Sequence, residues 1–90
     1  MQAQQAPRGD KAHDPRYKEL LAKLKAARKS LGLTQEALAA RLNRHQQFVS
    51  RYEGGQRRLD AVEFYDVAVL LGLDPTALLQ SLTGDAAISQ

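Results

Sequence analysis

The sequence predicts an all-α domain of five short helices packed as an orthogonal bundle. Three observations carry this prediction. Apolar residues recur at three- and four-residue spacing along most of the 90 residues. Leu-Gly-Leu punctuation appears twice, and Thr or Asp-Pro start signals follow it. No stretch alternates apolar and polar residues as a half-buried strand does.

Residues 1–13 are rich in Gln and Ala, contain Pro7 and Gly9, and show no apolar period. They read as a flexible arm. Asp14-Pro15 has the form of a helix start, a capping carboxylate with proline at the first helical position. Tyr17, Leu20, Leu21, Leu24, Ala27 and Leu31 then fall on one face of a first helix. Gly32 ends it, and Leu33 is placed to fold back on it. Thr34 caps a second helix carrying Leu38, Ala39 and Leu42. A third runs from about His45 to Glu53 and stops at Gly54-Gly55. Asp60 with Glu63 three residues on is a capping-box variant that opens a fourth helix, with Val62, Tyr65, Ala68 and Leu71 on its apolar side. Asp74-Pro75 starts a fifth, over roughly Thr76 to Leu82. The domain is therefore expected over residues 14–83, with a tail at 84–90.

Composition narrows the function classes. There is no Cys, hence no disulfide framework and no thiolate metal site. Neither a signal-peptide start nor an apolar run of membrane-spanning length is found, so a cytoplasmic location with no membrane partner is expected. His13 and His45 have no partner at metal or catalytic spacing. Ser30, Ser50, Ser81 and Ser89 sit in no nucleophile elbow or glycine loop. An enzyme, a metal site and a cofactor are not expected. Charge is sharply divided. Met1 to Arg58 holds all 13 basic residues and 5 acids, a net of +8, while Leu59 to Gln90 holds the other 5 acids and no base. One face suits a polyanion and another is turned away from it.

The third helix is the informative one. At about 100° per residue, Phe48, Tyr52 and Val49 gather within roughly 100° of arc, and Gln46, Gln47, Ser50 and Arg51 occupy the opposite side. Gln can present paired hydrogen bonds to adenine and Arg to guanine, and Ser suits a phosphate. A solvated helix face is also polar, so this pattern alone leaves double-stranded DNA and plain solvent both open as what that face meets.

Here the residues carry a resemblance. From about Tyr17 to Leu79 the chain resembles the Cro/repressor-type (XRE) helix-turn-helix family, the lambda-repressor-like fold. The most specific stretches are Leu33-Thr-Gln-Glu-Ala-Leu-Ala, Val49-Ser-Arg-Tyr-Glu-Gly-Gly and Ala68 to Leu73. The resemblance implies a helix-turn-helix at helices 2 and 3, with Ala39 small at their crossing and Val49 buried. Asn43 stands where the family usually has the turn glycine. Arg44 and His45 replace an apolar residue and a Ser or Thr cap, which weakens the cap of the reading helix and adds positive charge. By the same carry-over, Gln46, Gln47, Ser50 and Arg51 read bases, while Gln35, Arg44, His45, Gln56, Arg57 and Arg58 meet phosphates. Arg28 and Glu53 form a structural ion pair. Phe48 is expected to pack on helix 2, the alternative being a thymine methyl. Lys11, Arg16, Lys18, Lys23, Lys25 and Lys29 add charge on the arm and first helix.

The resemblance further implies a transcriptional regulator, a repressor on a palindromic operator. A dimer surface is expected on the acidic C-terminal part, with Leu78, Leu79, Leu82, Ile88 and one of Phe64 and Tyr65, the alternative being that these leucines close the fifth helix onto the core of a monomer. Two alternatives stay open. One is an antitoxin or a restriction–modification controller of the same fold, the other a protein-interaction module without specific DNA binding. A protein partner such as a toxin or polymerase is compatible with each.

Overall fold

A computed structural model describes residues 14–82. The expected arm and the tail, with Ile88, lie outside the described residues. Five helices follow one another: α1 (Pro15–Ser30), α2 (Gln35–Arg41), α3 (Gln46–Glu53), α4 (Ala61–Leu70) and α5 (Pro75–Gln80), and no strand occurs among the described residues. None of these helices is long and apolar enough to cross a membrane.

The helix starts are local chemistry. The Asp14 carboxylate accepts from the Arg16 amide at 2.8 Å, and Pro15 fills the first helical position, where no amide is needed. The Thr34 hydroxyl accepts from the Ala37 amide. Asp60 and Glu63 form a reciprocal capping box, and Asp74 accepts from Thr76 and Ala77. The ends of the first four helices share one device. At Leu33, Arg44, Gln56 and Leu73 a backbone amide reaches back five residues, to Arg28, Ala39, Arg51 and Ala68 respectively. The preceding residue in each case has positive φ: Gly32, Asn43, Gly55 and Gly72. This double hydrogen-bonded stop satisfies the last carbonyls and turns the chain sharply. Asn43, at φ +59°, is the one non-glycine in this role, which Asn tolerates better than most residues.

These turns fold the helices around one core. Leu20, Leu21 and Leu24 of α1 meet Leu38 and Ala39 of α2, Phe48, Val49 and Tyr52 of α3, and Phe64, Val67, Ala68 and Leu71 of α4 and its end. Leu24, Leu38, Val49 and Ala68 are fully enclosed. Tyr17, Leu42, Leu59, Leu78 and Leu82 close its margin.

Two expectations are corrected. Leu31 lies past the end of α1, at the position where the chain turns, and is exposed. On α4 the buried side consists of Phe64, Val67 and Ala68, and both Val62 and Tyr65 point outward. Three- and four-residue spacing holds for either set, so periodicity does not choose between them.

Candidate nucleic-acid interface

The chain between Thr34 and Gly55 holds α2 and α3 against each other across the Leu42–His45 turn. Ala39 and Val49 both lie in the core at this junction, 1% and 0% exposed. A larger side chain at Ala39 has no space to enter. α3 buries Phe48, Val49 and Tyr52 and leaves Gln46, Gln47, Ser50 and Arg51 exposed on its other side. A polar, hydrogen-bonding helix face therefore stands clear of the fold, with His45, Gln56 and Arg58 exposed beside its two ends. His45 precedes α3 without a side-chain capping hydrogen bond, as an imidazole in place of a Ser or Thr hydroxyl leads one to expect.

The far end of α3 is fixed by a buried ion pair. Arg28 Nε donates to Glu53 Oε2 at 2.7 Å and its Nη2 to Oε1 at 3.1 Å, and Nη1 donates to the Leu33 carbonyl at 2.7 Å. The side chains of Arg28 and Glu53 are only 8% and 2% exposed. The hydrogen bonds to Glu53 raise the Arg28 pKa further, so the cation persists despite burial. One guanidinium thus joins the end of α1, the turn before α2 and the end of α3. Beside it the Tyr52 hydroxyl is enclosed, and burial raises its pKa, with the Glu53 charge adding to the effect.

Gln35, expected at a phosphate, belongs to this network. Its side-chain amide donates to Glu53 Oε1 at 3.0 Å, and the residue is half-buried. The reason is proximity: the first turn of α2 and the last of α3 converge on the same carboxylate.

A second cluster lies at the near end of α3. Arg57 donates through both terminal nitrogens to Glu63, each at 2.8 Å, and Arg44 reaches the same carboxylate at 3.3 Å. The two guanidinium carbons lie 4.0 Å (Arg44) and 5.0 Å (Arg57) from the centre of the Phe48 ring. The Phe48 ring packs edge-on against Tyr52 at 5.4 Å. Phe48 is therefore occupied by packing, one side on the core and the other under two cations. Hydrogen bonds from Arg57 hold the Glu63 carboxyl down at about 2, with the Asp60 amide and Arg44 adding to them. Arg57 does not stand free as an outward clamp, as the sequence leads one to expect, because the capping box presents Glu63 to it. Arg58 is exposed and lies 4.6 Å from the Tyr17 ring centre. The Tyr17 hydroxyl in turn accepts from the Leu59 amide.

Glu63 is the residue that sequence reasoning missed in this site. Its capping role was legible, but its reach to Arg57 and Arg44 was not, and the only signal was an acid six residues after a basic pair. Among the described residues no group of three or more His, Cys, Asp or Glu side chains is placed to hold a metal.

Comparison with known proteins agrees with this geometry. The helix-turn-helix family model matches residues 24–78. Among solved structures the chain is similar to an XRE-family like protein from Pseudomonas syringae pv. tomato str. DC3000. The two are 44% identical with a TM-score of 0.75, over 92% of this chain and 98% of that one. A search of curated proteins gives no match.

Proposed function

The chain belongs to the XRE-type helix-turn-helix family of DNA-binding regulators, and from that premise we propose that it is a repressor that reads a two-fold operator as a dimer. The observation that carries the reading is the division of α3. Phe48, Val49 and Tyr52 lock one side into the core, and Gln46, Gln47, Ser50 and Arg51 stand exposed on the other. Such a helix enters the major groove with its outer side chains on base edges. Gln46 and Gln47, in the first turn, are suited to adenine and Arg51, one turn on, to guanine. Arg44, His45, Gln56 and Arg58 supply phosphate contacts at the ends of the helix, and these set position and charge but not sequence. Gln35 contributes from the start of α2 through whatever hydrogen-bonding capacity Glu53 leaves it. Arg57, like Arg44, engages a phosphate by exchanging Glu63 for it.

One such domain spans few base pairs, and a dimer places two reading helices on half-sites about 34–36 Å apart. Repression follows from occupancy, since a bound dimer occludes polymerase. Mutation tests the assignment of roles. Gln47→Ala should cost about 1–3 kcal/mol on the preferred duplex and relax one base position, whereas Arg58→Ala should weaken all duplexes alike and flatten the salt slope by about one unit. Equal effects of both variants on every duplex would remove base reading from α3.

A further inference from the structure

The outer side of α4 has no partner in the folded chain. Around the helix, Phe64, Val67 and Ala68 face the core, and the opposite side carries Val62, Tyr65, Asp66 and Val69. Val62 is 68% exposed, Tyr65 56% and Val69 48%. These three account for most of the large apolar side chains left exposed among the described residues. They run along one line for about 10 Å, the rise of seven helical residues. A surface helix ordinarily has a polar outer side, and one that is apolar all round is covered on both sides.

The charges beside this stripe indicate what covers it. Arg41 and Asp66 line one cleft with Leu42, Tyr65, Val69 and Leu70. The structure shows an ion pair for neither of them, whereas Arg28 pairs with Glu53 and both Arg44 and Arg57 pair with Glu63. An apolar stripe with one cation and one anion at its border is complementary to its own image after a two-fold rotation. Arg41 of each copy then faces Asp66 of the other, and the stripes meet between the two pairs, as an isologous interface requires. The expected C-terminal surface offers less. Leu78 and Leu82 are half-buried against the core and Phe64 is buried, so among the described residues of that set only Leu79 and Tyr65 are exposed, and Tyr65 belongs to the α4 stripe.

We infer that the outer face of α4, with Arg41 at the end of α2, is the surface on which a second copy of this chain docks. This rests on the proposed dimeric reading and adds its location. Burial of Tyr65 and the two valines supplies the adhesion, and the crossed Arg41–Asp66 pairs fix the register.

Sedimentation equilibrium of the full chain tests this without DNA. The wild type should sediment at twice its 9.9 kDa chain mass. Tyr65→Asp and Val69→Asp should each raise the dimer dissociation constant about 30-fold or more. Because both residues are exposed in the monomer, helical circular dichroism should not change. Arg41→Asp and Asp66→Arg should each weaken the dimer, and the double variant should recover it. A wild type that stays monomeric up to about 0.1 mM, a range in which even weak interfaces are populated, would overturn the inference. In that case residues 83–90, or a different protein, cover the stripe. A dimer indifferent to Tyr65→Asp would also overturn it, while leaving the DNA reading intact. Conversely, if Tyr65→Asp is monomeric and still prefers one half-site over a scrambled duplex, interface and base reading are both upheld. Loss of dimer in a protein whose wild type shows no sequence preference would leave the interface standing and refute the function.

Discussion

Replacing Glu53 by Ala should destabilise the fold by about 3–5 kcal/mol, because it leaves the Arg28 charge buried and unpaired. The magnitude follows from the site. Glu53 accepts two hydrogen bonds from Arg28 and one from Gln35, and its own side chain is 2% exposed. Water therefore reaches Arg28 poorly once the carboxylate is gone, and only the Leu33 carbonyl still accepts from it. A domain of this length has a stability of roughly 5–13 kcal/mol, so the loss is a large share of the whole. Urea titration followed by circular dichroism at 222 nm measures it, with the slope checked for constancy. The double variant Arg28→Met/Glu53→Leu should be clearly more stable than Glu53→Ala, since it removes both charges and fills the space with apolar atoms. A loss below about 1 kcal/mol for Glu53→Ala, the range of an exposed pair, would refute the claim that this pair is desolvated.

Three further substitutions carry expected outcomes. Glu63→Gln should tighten binding to every duplex and steepen the dependence of log K on log salt by up to about 0.9 per arginine released, as measured by fluorescence anisotropy; an unchanged slope would mean that Arg44 and Arg57 reach no phosphate. Its carboxyl is held at about 2 against a usual value of 4.5, so its contribution to stability is present above pH 4.5 and lost as pH falls toward 2. Acid titration of the Gln variant should lack that component. Ala39→Leu should cost about 1–3 kcal/mol or more by thermal unfolding, because the position is enclosed where α2 meets α3. Asn43→Gly should stabilise by up to about 1 kcal/mol, since φ is +59° there and glycine adopts it without a Cβ penalty.

Much of the fold was legible because its punctuation is local. Asp14-Pro15, Thr34, Asp60 with Glu63, and Asp74-Pro75 announce helix starts through bonds made within three residues. The stops at Gly32, Gly55 and Gly72 are equally local. Asn43 was legible once the family pattern was in view. What escaped the sequence was the choice of side on α4, where apolar residues surround the helix and burial depends on what the rest of the chain covers. The Arg57–Glu63–Arg44 cluster escaped for a related reason. Nothing in the spacing of positions 44, 57 and 63 shows that one carboxylate meets both cations above the Phe48 ring. The Arg28–Glu53 pair spans 25 residues and came into view through the family resemblance, not through spacing. Leu31 kept the helical period and still lost its burial, because the helix ends one residue before it.

The central claim is that the exposed side of α3 reads sequence in duplex DNA. Selection from random duplexes tests it most directly, followed by titration of the selected duplex and a scrambled one at several salt concentrations. A shared symmetric motif, bound about 10³-fold or more tightly than the scramble, is the predicted result. Equal affinity for both duplexes, falling away together as salt rises to the physiological range, would contradict it, since that leaves only non-specific attraction to phosphate.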